Sequence, residues 1–128
     1  VCVWGGGGRG ETAVCATIVN AAGERAYNLA GKTSLTALGS RIAAMDVIVT
    51  NDSGPMHMAA ALGVPVVALF GPTDPVRTGP YGSNNRVVTA VCACRPCRTR
   101  RCLRNDAMCM EAIGVPEVRK VLLETIRK

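Results

Sequence analysis

Asp52, Ser53, Gly54 and His57 stand close together in the stretch NDSGPMH at 51–57. Their types suit one task, holding an anion that carries hydroxyl groups. Serine can cap a helix, and glycine lets a ligand approach the backbone. Proline in the first turn gives up an N–H that would lack a partner anyway. The remaining amides and the positive end of the helix favour a phosphate. His57 falls one turn in, and helical side chains lean back toward the N-terminus, so it can donate a hydrogen bond at the same place. Asp52 would repel a bare phosphate. It suits a ligand with a diol, because a carboxylate accepts hydrogen bonds from hydroxyls. A nucleotide sugar offers both groups. A plain helix start explains the cap but leaves unexplained a second polar loop, GPTDP at 71–75.

The flanking segments say how these residues are positioned. Residues 46–50, DVIVT, form a β-branched run without polar alternation, which suits a strand covered on both faces. Pro55 to Leu62 read as a short helix, Gly63 stops it, and Pro65 to Phe70 form a second buried strand. Strand, helix and strand with short connectors make a βαβ crossover, whose strands are parallel and expected to be neighbours or nearly so. In open parallel sheets ligands bind beyond the carboxyl ends of the strands. NDSGP and GPTDP both leave strands at such ends and can line one crevice.

The rest of the chain reads as the same kind of fold. VCVW is a short strand, and Thr12 to Ala21 form a helix with Val14, Ile18 and Ala22 on one face. Gly23 ends it, and RAYNL is the next strand. Thr33 or Ser34 caps a helix that aligns Leu35, Leu38 and Ile42. Residues 71–85 are irregular, RVVTAV is an edge strand, and Pro116 opens a last helix with Val118, Val121, Leu122 and Ile126 on its apolar side. The fold class is α/β, a Rossmann-like parallel sheet flanked by helices. Residues 1–128 are expected to be one domain with a Cys/Arg-rich loop at 92–110.

Composition narrows the function classes. Apolar residues make up 48%, yet no run approaches the roughly 20 residues of a membrane helix. Aromatics are only 3%, which argues against a base-stacking nucleic-acid platform. Of the net charge of +6, five positive charges are Arg95, Arg98, Arg100, Arg101 and Arg104. That cluster is either a solvated face or a site for polyanions. The chain opens without methionine, directly in a strand, as expected of a piece of a longer protein that has lost its N-terminal part.

Two further motifs need weighing. Gly5 to Gly10 satisfy G-x-G-x-x-G, but the dinucleotide fingerprint also needs an acid at the end of the next strand. RAYNL ends in Asn28 and Leu29, so the glycines are expected to form a loop near the ligand, with Glu11 a contact to ribose or base. Cys2 and Cys15 sit in apolar surroundings and read as core residues. Cys94, Cys97, Cys102 and Cys109 could surround zinc or an iron–sulfur cluster, although their spacing matches no common zinc finger. The alternative is a set of small buried residues. An odd cysteine total points to a reducing compartment.

NLAGKTSL at 28–35, TNDSGPMHMAAALGVPVVALFGPTDP at 50–75 and RTGPYG at 77–82 resemble the donor half of the family 9 glycosyltransferases, the ADP-heptose:lipopolysaccharide heptosyltransferases. The resemblance implies one half of a GT-B fold. It places diphosphate and heptose at Asp52, Ser53, Gly54 and His57, with Lys32, Thr33 and, less closely, Glu11 beside the nucleotide. It implies transfer of heptose from ADP-heptose to a lipid-linked inner-core saccharide with inversion. The base would sit in an N-terminal acceptor domain that this sequence lacks, so the chain alone is expected to transfer little or nothing. His57 would stabilise the leaving group, and no cofactor is required. The site would lie in the cytoplasm, at the inner face of the inner membrane, with peripheral contact to anionic lipid and no nucleic-acid partner. The other readings are a different GT-B nucleotide-sugar enzyme, transferase or epimerase, and a basic polyanion-binding module.

Overall fold

The computed structural model describes residues 2–3, 9–97, 102, 104, 106 and 108–127. The chain divides into two compact units, Val1–Arg41 and Ile42–Lys128.

In the first unit, β1 (Cys2–Val3) pairs in parallel with β2 (Tyr27–Asn28), and α1 (Arg9–Ala22) connects them. A positive φ of 72° at Gly23 ends α1, and a 3-10 turn over Gly23–Arg25 follows. The buried side of α1 is not the expected one. Val14 and Ile18 are exposed, whereas Cys15 is buried and Val19 is half-buried at i, i+4. The Cys2 side chain lies outside the described residues.

Asn28 acts structurally at the end of β2. Its side chain donates to the Thr12 carbonyl at 3.3 Å and accepts from the Ala30 amide at 3.0 Å. The position where a dinucleotide fold would carry an acid is therefore taken up by packing against α1. Ser34, not Thr33, caps α2 (Leu35–Ala43), accepting from the Ala37 amide at 3.2 Å. Leu38 and Ile42 are buried as the spacing predicts, but Leu35 is exposed.

The second unit contains the three-stranded parallel sheet β3-β4-β5, with β3 at Ile48–Asn51, β4 at Val66–Phe70 and β5 at Arg86–Thr89. Register pairs Ile48 with Val66 and Asn51 with Leu69, so the strands joined by the crossover are direct neighbours. RVVT forms the expected edge strand. Helix α3 (Gly54–Ala61) packs on β3 and β4, and α6 (Val115–Ile126) packs on β4 and β5. Val66, Val67, Ala68 and Phe70 are fully buried, with Met56 and Ala59 of α3 against the sheet. That accounts for a central strand without polar alternation. Gly63, at φ 76°, makes the turn from α3 toward β4.

Two short helices escape a periodicity reading. Pro75–Thr78 (α4) lies inside the Gly- and Pro-rich segment, and Met108–Glu111 (α5) lies in the cysteine-rich region. Each has four residues, too few for an apolar repeat to show. Helix α6 buries Thr125, whose hydroxyl donates to the Val121 carbonyl at 2.7 Å, whereas Ile126, expected on the apolar side, is exposed.

Candidate functional site

The two polar loops leave adjacent strands at the same sheet edge. Asn51 and Leu69 are register partners, so NDSGP begins beside the end of β4, and GPTDP begins after Phe70. A hydrogen bond ties NDSGP to the short helix that follows GPTDP: the Thr78 hydroxyl, in α4, donates to Asp52 Oδ2 at 2.9 Å. The crevice expected between NDSGP and GPTDP thus has Asp52 held from the far wall.

Ser53 occupies the N-cap position of α3 in extended backbone, yet its side chain does not cap the helix. Its Oγ donates instead to the Asn51 carbonyl at 3.1 Å and lies 3.1 Å from the Thr50 hydroxyl. This corrects the expected side-chain cap. A hydroxyl turned back onto the strand leaves the front of the helix clear. Gly54 and His57 are exposed, and Asp52 and Ser53 are half-exposed. A Cβ added at Gly54 would meet nothing within 4 Å, so the helix start faces open space. His57 lies in the first turn of an eight-residue helix whose Met56 and Ala59 face the core. Uncapped amides and an exposed imidazole at a helix start suit an anionic ligand.

GPTDP is built for shape. Asp74 caps α4, with Oδ1 accepting from the Val76 amide at 3.0 Å. Gly71 is buried, and a Cβ there would lie 2.6 Å from Met110 Cγ and 3.5 Å from Cys109 Sγ. Glycine lets the end of β4 pass α5 this closely without displacing the Met110 side chain.

In the first unit, Lys32 is exposed and Thr33 half-exposed in the turn after β2, where the Lys32 amide donates to the Leu29 carbonyl at 3.1 Å. Glu11 is exposed in the first turn of α1. Residues 4–8, most of the glycine-rich stretch, lie outside the described residues.

The arginine cluster proves partly structural. Arg95 donates through Nε to the Gly71 carbonyl and through Nη1 to the Ala90 carbonyl at 3.0 Å, tying the ends of β4 and β5 together. Arg104 pairs with Asp106 at 3.0 Å. That pairing, followed by the Met108 amide, holds the Asp106 carboxyl below its ordinary range. Arg98, Arg100 and Arg101 lie outside the described residues.

Among the described residues no group of three or more His, Cys, Asp or Glu side chains is arranged to hold a metal. Cys109 is buried near Gly71, and Cys102 lies 3.7 Å from Asp106 Oδ1. The Cys92 and Cys94 thiols lie 3.2 Å apart. The Cys94 backbone N–H, and then its thiol, stabilise the Cys92 thiolate and lower its pKa, with Arg104 adding a smaller pull. The same thiol contact holds Cys94 protonated and pushes its pKa up.

An apolar groove of about 370 Å³ runs between β4, α5 and α6, lined by Leu69, Met110, Ile113, Val118 and Leu122. Arg119 also lines it, but none of the candidate residues does.

Thr78 is the residue that sequence reasoning missed. Its segment RTGPYG stood out, but its partner Asp52 lies 26 positions away, and no local pattern reports such a contact.

Comparison with known proteins adds a family. The family model described as glycosyltransferase family 9 (heptosyltransferase) matches residues 1–108. A lipooligosaccharide heptosyltransferase 2 of Campylobacter jejuni is 37% identical over 117 residues, covering 88% of this chain and 37% of that protein. The lipopolysaccharide heptosyltransferase 2 of Escherichia coli K12 is 52% identical over 64 residues, half of this chain and 18% of the relative. A solved structure, E. coli ADP-heptose LPS heptosyltransferase II, superposes with a TM-score of 0.75 at 28% identity, covering 98% of this chain and 36% of the other. The chain thus spans little more than a third of the length of the relatives that match most of it.

Proposed function

The chain belongs to glycosyltransferase family 9, the heptosyltransferases, and on that premise we propose that it forms the donor-binding half of an enzyme transferring heptose from ADP-heptose to a lipopolysaccharide inner-core saccharide. One observation carries the reading. The start of α3 is exposed and free of a side-chain cap, with His57 in its first turn and Asp52 held beside it by Thr78.

In this reading the diphosphate rests on the amides at the start of α3, where the helix end favours negative charge. His57 donates to a phosphate oxygen, and Asp52 accepts from hydroxyls of the sugar. Lys32, Thr33 and Glu11 contact the nucleotide. An acceptor hydroxyl attacks the anomeric carbon, the bond from that carbon to the diphosphate oxygen breaks, and ADP departs with the electron pair. Amides and an imidazole already in place stabilise the growing charge without having to reorganise. The base that takes the acceptor proton belongs to a domain outside this chain, and attack from the side opposite the diphosphate inverts the anomeric carbon. This chemistry calls for no cofactor from the described residues.

No described helix is long and apolar enough to cross a membrane. The acceptor is lipid-linked in this reading, so the enzyme works in the cytoplasm against the inner face of the inner membrane. Other nucleotide-sugar chemistry on the same scaffold is less well supported, since the relatives reported above are heptosyltransferases. A polyanion-binding module is disfavoured because Arg95 and Arg104 are engaged within the fold.

Titration with ADP and ADP-heptose, followed by amide resonances, tests the site. Shifts at Ser53, Gly54 and His57 are expected. Unmoved resonances there at millimolar nucleotide would overturn the donor-site reading.

A further inference from the structure

Asp52 could serve a sugar only if its carboxylate is held in one orientation, and the fold supplies the means. Thr78 closes α4, a helix fixed in four ways. Asp74 Oδ1 accepts from the Val76 amide at 3.0 Å. The Asp74 carbonyl accepts from the Arg77 and Thr78 amides, each at 3.0 Å, and the Pro75 carbonyl accepts from Gly79 at 2.9 Å. Any Cβ at Gly79 would collide with the Pro75 carbonyl, so glycine alone allows the chain to close here. Thr78 itself is β-branched and stiff about its first side-chain torsion.

Its hydroxyl has a single proton and two acceptors in reach, Asp52 Oδ2 at 2.9 Å and the Asp74 carbonyl at 3.2 Å. The carboxylate is nearer and charged, and charge-assisted hydrogen bonds are the stronger kind. Asp52 Oδ2 is thereby committed, while among the described residues Oδ1 has no hydrogen-bond partner.

We propose that Thr78 is a positioning residue for the donor site, holding Asp52 so that Oδ1 faces the hydroxyls of the donor sugar. The inference rests on the donor-site reading and extends it. Fixing a rotatable acceptor before the ligand arrives removes an ordering cost from binding. The benefit goes to the part of the ligand that Asp52 touches. Thr78 therefore contributes to recognition of the sugar and little to recognition of the nucleotide.

The test compares ADP with ADP-heptose on the full-length protein, using wild type, Thr78→Val and Thr78→Ser. Valine keeps the shape and loses the hydroxyl; serine keeps the hydroxyl. Thr78→Val is expected to weaken ADP-heptose about tenfold while ADP changes by less than about twofold, and Thr78→Ser is expected to stay within about threefold for both. A role confined to loop stability would weaken both ligands alike. That outcome, an unchanged ratio in Thr78→Val, or equal loss in Thr78→Ser overturns the proposal while leaving the donor site standing. Wild type that binds neither ligand overturns the donor site, and this inference with it.

Discussion

At the scale of single residues, the proposed donor site assigns some groups to the phosphate and others to the sugar. Asp52→Ala is expected to weaken ADP-heptose about tenfold and ADP by less than about threefold, measured by calorimetric titration. His57→Ala should lower kcat about ten- to a hundredfold, because a donor to the departing diphosphate matters most when charge has built up there. The thiols give a separate check. Cys92 is held below its ordinary pKa first by the Cys94 backbone N–H and then by the Cys94 thiol, and that thiol contact holds Cys94 above its own. Cys92 thus becomes thiolate at lower pH, and alkylation followed by mass spectrometry across a pH series should modify Cys92 first. The start of α3, with Asp52 before it and Gly54 and His57 in its first turn, was legible in the sequence because proline in a first turn after a small polar residue is a local signal. The Ser53 side chain was not. Whether a serine caps its helix or turns back to Thr50 and Asn51 depends on which partners the folded backbone brings within reach, which types alone do not encode.

At the scale of elements, close passage of backbone decides which substitutions are tolerated. Gly71→Ala would drive a methyl group into Met110, and overpacking of this kind costs about 1–3 kcal/mol. A lower thermal midpoint is the expected result. Asp74→Ala removes the cap of α4 at a cost of about 1 kcal/mol. It should also loosen Thr78, so ADP-heptose affinity falls in step with stability. The βαβ unit at 46–70 was readable because a doubly covered strand, a glycine stop and a second apolar run are local signals. Helix α4 was not, since four residues between prolines and glycines look like a loop. The buried side of α1 was misjudged as well. Val14 and Ile18 make the stronger apolar row, but they are exposed and Cys15 is buried.

At the scale of the whole molecule, the chain spans little more than a third of its relatives, and the proposed reaction needs an acceptor and a base from elsewhere. Alone it is expected to bind donor and transfer no heptose. Joined to an acceptor domain of the family, it should regain transfer in an assay with ADP-heptose and core saccharide. The sequence by itself determined the parallel α/β class, the family, and a helix starting just after Ser53. Each of these follows from residue types at short spacing, where chain connectivity keeps the partners together. Only the tertiary structure decided that β3 and β4 are direct neighbours, that Arg95 ties strand ends instead of facing solvent, and that Thr78 holds Asp52. Those contacts join residues far apart in the chain. Their partners are chosen by how strands and loops stack around a common core, which no local pattern records.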